Sequence, residues 1–114
     1  MAFNEQLANR VRELIAASTD KSIEEKKMFG GLCFMVDDKM CVGVKDDHMM
    51  VRLAPAFFEE ALEKEGCAPM VMGGRVMKGF LFVDGSVLGT TRQLQYWIQR
   101  ALEYNPLAKA SKKK

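Results

Sequence analysis

The 114-residue sequence predicts an α+β domain, α-βββ-α-ββ-α, in which three helices pack on an antiparallel sheet of about five strands. Three observations carry the prediction. Apolar residues recur at helical spacing in two long segments, one near each end of the chain. Between residues 31 and 83 they come instead in short runs of strand length. Asp-Asp, Gly-Gly and Asp-Gly pairs punctuate those runs and suit tight antiparallel turns.

Phe3, Leu7, Val11, Leu14 and Ile15 form the first helical stripe, with Asn4 placed as N-cap and the end near Ser18. Thr19-Asp20-Lys21 breaks this helix. Ser22-Ile23-Glu24-Glu25 resembles a capping box and predicts a single helical turn before Lys26. Strands are expected over 31–36, 39–44 and 48–53, turning at Asp37-Asp38 and Asp46-Asp47. Pro55 opens a second helix at its first position, Phe57, Phe58, Ala61 and Leu62 form its stripe, and Gly66 ends it. A short strand over 69–72 turns at Gly73-Gly74 into a longer one over 76–83, closed by Asp84-Gly85. Thr90 or Thr91 caps the third helix, which carries Leu94, Trp97, Ile98, Ala101 and Leu102 and stops near Asn105 before Pro106.

Period-two alternation assigns the sheet faces. A two-residue turn at Asp46-Asp47 puts Met40, Val42, Val44, Met49, Val51 and Leu53 on one apolar face, the expected core. Cys41, Gly43, His48, Met50 and Arg52 fall on the other. The strand over 31–36 is apolar on both sides, so its register stays open. Either register leaves apolar side chains of this strand beside Cys41 and Met50, and Leu32, Phe34, Cys41 and Met50 are the candidate interaction surface. The second face must be covered by another part of the chain, a second subunit or a partner.

Residues 1–106 are expected to form one domain and 107–114 a basic flexible tail. Formal charge is +2 overall, yet 13 of the 17 basic and all 15 acidic side chains precede residue 107, leaving the body at −2. An acidic body is a poor phosphate tracker, so nucleic acid is not expected as a partner for the domain alone. Cys33, Cys41 and Cys67 form no C-x-x-C pair and read as reduced, buried thiols of a cytoplasmic protein. Charges among the first residues argue against a signal peptide, and no apolar run approaches the roughly 20 residues that span a bilayer. Nine methionines imply a plastic core or contact face.

Several segments, in order, carry a resemblance: Met28-Phe29-Gly30-Gly31-Leu32, two hairpins, and Met50-Val51-Arg52-Leu53. Gly74-Arg75-x-Met77-x-Gly79 follows, ahead of an aromatic strand and a Trp97-bearing helix. Together they resemble the TfoX N-terminal domain family over about residues 3–104. The resemblance implies the same α-βββ-α-ββ-α fold and a link to regulators of natural competence. Those act as transcription co-regulators with the cyclic-AMP receptor protein. They carry a second, C-terminal domain, which this chain, ending at Lys114, is expected to lack. The resemblance brings no catalytic residues with it.

The residues themselves offer little chemistry. His48 is the sole histidine and lies beside Asp46-Asp47 at a turn, without partners spaced as zinc ligands. The Asp pairs do not fit a calcium loop. Cys33 or Cys41 as a nucleophile would need an activating base. Gly73-Gly74-Arg75 with Lys78 makes a candidate anion site, Arg75 and Lys78 supplying the cations. The expectation is therefore a non-enzymatic regulatory or protein-interaction module with no catalytic residue, metal or cofactor. It is expected to work as a homodimer, with a protein partner in transcription regulation. The alternatives are a small-ligand or anion binder at Arg75 and Lys78, and a nucleic-acid-binding domain.

Overall fold

The helical stripes and strand runs assemble as three helices laid on one face of an antiparallel sheet. The structure, a computed structural model, describes residues 3–28 and 30–107; the side chains of Met28, Met72 and Lys78 lie outside that description. The order is α1 (Glu5–Ser18), β1 (Ile23–Met28), β2 (Gly31–Val36), β3 (Lys39–Lys45), β4 (His48–Arg52), α2 (Pro55–Leu62), β5 (Cys67–Met72), β6 (Arg75–Asp84) and α3 (Thr91–Tyr104). Short 3-10 turns follow β6 and α3 at Gly85–Val87 and Asn105–Leu107. The strands are ordered β1-β2-β3-β4-β6-β5, and Phe3 adds a single parallel bridge to Asp46. The α+β class holds, with six strands instead of about five. The expected tail lies outside the described residues from Ala108 onward.

The extra strand is β1, where the sequence pointed to a helical turn. A capping box needs the Glu25 carboxylate to reach back to Ser22. Arg12 of α1 takes that carboxylate instead, Nε and Nη2 donating at 2.6 and 2.9 Å. The Ser22 carbonyl accepts from the Asp37 amide at 2.9 Å. Residues 23–28 therefore pair along β2, Ile23 opposite Val36 and Lys27 opposite Leu32. Their charged side chains suit an exposed sheet edge.

The remaining elements follow the sequence closely. Asn4 Oδ1 accepts from the Leu7 amide at 3.1 Å, and Thr90 with Gln93 forms a complete capping box on α3. Asp37 and Asp38 both take positive φ, 56° and 68°, the left-handed conformation that short polar residues tolerate in tight hairpins. In the longest strand, β6, Gly79 has φ +88° and its missing Cβ would stand 3.0 Å from the Leu53 carbonyl. The β4–β6 pairing ends beside it, at Arg52 opposite Phe80, and the β5–β6 hairpin runs on alone.

One irregularity corrects the expected faces. Phe34 pairs with Val42 but Met35 pairs with Met40, so Cys41 is an extra residue in β3. Such a bulge inverts the alternation beyond it. Cys41 therefore joins Leu32, Phe34, Val36, Val42, Val44, Met49, Val51 and Leu53 beneath the helices. Met40 moves to the second face with Cys33, Met35, Met50 and Met70, a cluster to which Met77, Phe80 and Phe82 are added. Every buried side chain of the three helices belongs to the first core. Even so, Cys33, Met35, Met40, Met50 and Met70 are at most 2% exposed. β2, β3, β4 and β5 all contribute to this one cluster, so the face is buried within the single chain.

Candidate functional site

The predicted interaction surface is not a surface. Leu32, Phe34 and Cys41 lie in the helix-side core and Met50 on the other side of the sheet, all buried within the single chain. A homodimer would have to be built elsewhere, because the bare face that motivated it is closed. Burial also governs the thiols. It pushes Cys33 up to about 11 and Cys41 up to about 12, the latter against the opposing charges of Arg52 and Lys21. Cys67 is raised as well, again by burial, with Lys64 opposing. Neutral, enclosed thiols are poor nucleophiles and poor metal ligands.

The predicted anion site is at the tip of the β5–β6 hairpin. Gly73 and Gly74 both have positive φ, 59° and 79°, with nothing within 4 Å of where a Cβ would stand. They make the turn and leave open space around it. Arg75 is exposed beside them, and the Lys78 side chain lies outside the described residues. Val71 and Val76, paired across the hairpin, are 52% and 54% exposed.

His48 is more structured than a bare turn. Its Nε2 lies 3.5 Å from Asp84 Oδ1, and its ring packs on Phe82 with centroids 5.6 Å apart. Asp84 also accepts the Ser86 amide at 3.0 Å. The hydroxyl and amide of Ser86 hold this carboxyl below its ordinary range, and His48 adds a smaller pull. His48 and Ser86 thus share one carboxylate. A serine nucleophile would need the histidine between hydroxyl and carboxylate, so this trio is not a relay. A polar cleft of about 520 Å³ opens nearby, with Asn4, Arg10, Asp47, Asp84 and Ser86 in its walls. Among the described residues no three His, Cys, Asp or Glu side chains gather as metal ligands.

The outer side of α3 carries a feature the sequence reading passed over. Arg92, Tyr96, Arg100 and Tyr104 recur every four residues, the spacing of one helical stripe. Lys64 Nζ and Arg100 Cζ sit over the Tyr96 ring, 5.5 and 5.4 Å from its centroid, a cation–π arrangement. Tyr96 meets Trp97 edge-on at 5.0 Å. Arg100 Nη2 reaches Glu103 at 2.5 Å. Arg52 lies 5.2 Å from the Phe80 centroid and 6.0 Å from that of Tyr104. A largely apolar cleft of about 500 Å³ runs beside the stripe, lined by Lys64, Glu65, Val87, Arg92, Tyr96 and Trp97 among others. A smaller one of about 250 Å³ involves Phe57, Tyr104 and Leu107. The four-residue period is the signal that marks this face in the sequence.

The family model of the TfoX N-terminal domain matches residues 13–104. The chain belongs to this family. The match takes in β1 through α3, including both hairpin systems and the α3 stripe. No curated protein and no solved structure matches the chain. As a TfoX N-terminal domain it is a competence-regulator-like domain. Among its described residues no helix is long and apolar enough to cross a membrane.

Proposed function

We propose that this TfoX N-terminal domain is a non-catalytic regulatory module that acts by binding another protein in transcription control. The α3 outer face is the observation that best supports this reading. It combines an exposed aromatic residue, an apolar cleft and two cations, Lys64 and Arg92, that are in no ion pair among the described residues, a composition common at protein-recognition surfaces. The groups suited to covalent chemistry are engaged otherwise: His48 and Ser86 share Asp84, and two thiols are sealed by burial. Its three cysteines, none in a disulfide, fit a reducing compartment such as the cytoplasm.

The test is capture of partners on the immobilised full chain, followed by reconstitution from purified components. A defined complex of fixed stoichiometry is the expected result. A turnover activity of the purified chain that disappears in Asp84→Asn or His48→Ala would overturn the reading.

A further inference from the structure

We infer that the Lys64–Arg92–Trp97 cleft receives an acidic segment of the partner protein, with a large apolar side chain beside the acid. This rests on the interaction-module reading and specifies the partner's chemistry. Val87, Tyr96 and Trp97 supply the apolar lining, and Tyr96 is 36% exposed. A volume of about 500 Å³ holds one bulky side chain and its flanking backbone, within the roughly 300–1,000 Å³ typical of ligand clefts.

The charge sets the sign of the partner. Lys64 and Arg92 both line the cleft, against a single acid there, Glu65. Among the described residues neither cation is in an ion pair. Arg92 also stands in the first turn of α3, which holds no acidic residue. The positive end of a helix disfavours a cation there, so its charge works against its own helix. A docked carboxylate reverses that repulsion and meets a planar two-pronged donor. The acidic body of the chain makes this positive rim a local feature, and such features steer and select partners. A nucleobase fits less well, because Lys64 and Arg100 already occupy positions over the Tyr96 ring where a base would stack.

Trp97 is the chain's sole tryptophan and lines the cleft, so its fluorescence reports occupancy. A phage-displayed random dodecapeptide library is panned on the immobilised full chain, with Arg92→Glu as counter-selection. Enriched peptides should carry Asp or Glu within three residues of Phe, Leu or Trp. Synthetic Phe- or Leu-bearing winners should change Trp97 emission saturably, and Arg92→Glu or Lys64→Glu should bind at least about tenfold more weakly. Circular dichroism confirms that these surface variants fold. Failure to enrich over the counter-selection, or enrichment of basic peptides, overturns the inference. So does an emission change produced by inorganic phosphate alone or by raising protein concentration alone, which would assign the cleft to small anions or a second copy. A captured partner protein that Arg92→Glu still binds at full strength overturns the cleft while leaving the interaction-module reading standing.

Discussion

Asn105, just past α3, donates its side-chain amide to the Val36 carbonyl at the end of β2, 3.1 Å away. Asn105 is 2% exposed, and Lys39 Nζ donates to its backbone carbonyl at 3.2 Å. Together these contacts fasten the negative end of α3 to the β2–β3 turn. Asn105→Ala removes a buried donor and should lower stability by about 1–2 kcal/mol. Among the described residues Asn105 Oδ1 has no hydrogen-bond partner, so the prediction concerns the bond to Val36 alone. Lys39→Met should cost less, about 0.3–1 kcal/mol. Urea unfolding checks the order; an Asn105→Ala protein as stable as the parent contradicts it.

The same region shows what the sequence could and could not convey. The stripes of α1 and α3, their caps at Asn4 and Thr90, and the Asp-Asp turns are local signals, and the structure keeps them. β1 failed to read as a strand because its decisive contacts, Arg12 to Glu25 and the pairing to β2, come from elsewhere in the chain. The Cys41 bulge is also nonlocal, a mismatch between two strands that alternation within one strand does not reveal. That single inserted residue exchanged Met40 and Cys41, while the β2 register, Leu32 opposite Val44 and Phe34 opposite Val42, put Leu32 and Phe34 on the helix side away from Met50. Of the candidate site, the Arg92-Tyr96-Arg100-Tyr104 period was visible, whereas Lys64 reaches it only through the fold.

Close strand packing makes Gly43 intolerant of any side chain. A Cβ there would stand 2.8 Å from the Leu32 carbonyl oxygen and from Met50 Cε. Backbone cannot yield as a side chain does, so Gly43→Ala should cost at least about 1–3 kcal/mol. Gly89 has nothing within 4 Å and no positive φ, and Gly89→Ala should stay within about 0.5 kcal/mol of the parent. Thermal unfolding of the pair is the check. Equal melting temperatures would mean the sheet relaxes around position 43.

The thiols give the domain an alkaline weakness. Burial raises Cys33 from an ordinary value of 9.0 to about 11 and Cys41 to about 12. A thiol harder to ionise when folded leaves stability intact below the unfolded value, and stability falls as pH rises from there toward the folded one. The loss therefore begins near pH 9 and continues to about pH 11–12. Cys33→Ala with Cys41→Ala should flatten that part of the stability–pH profile, whatever the substitutions do to stability at neutral pH. A thiol reagent at pH 8 should label half-buried Cys67 first and reach the other two only on unfolding. Rapid labelling of Cys41 in folded protein would contradict its burial.

Met50 discriminates between a sheet face closed by the chain itself and one waiting for a partner. It is fully buried among Cys33, Met35, Met40 and Met70, with Gly43 opposite in the neighbouring strand. A carboxylate placed there exchanges water for an apolar cluster of thiol, methionine and aromatic side chains. Met50→Glu should therefore destabilise the monomer by more than about 3 kcal/mol, seen as a loss of cooperative unfolding or a large fall in the denaturation midpoint. Met50→Leu keeps volume and polarity and should cost less than about 1.5 kcal/mol. Sedimentation of each variant alongside its unfolding curve completes the comparison. If Met50→Glu kept its stability while a dimer of the parent fell apart, the face would be an interface and the single chain would not close it.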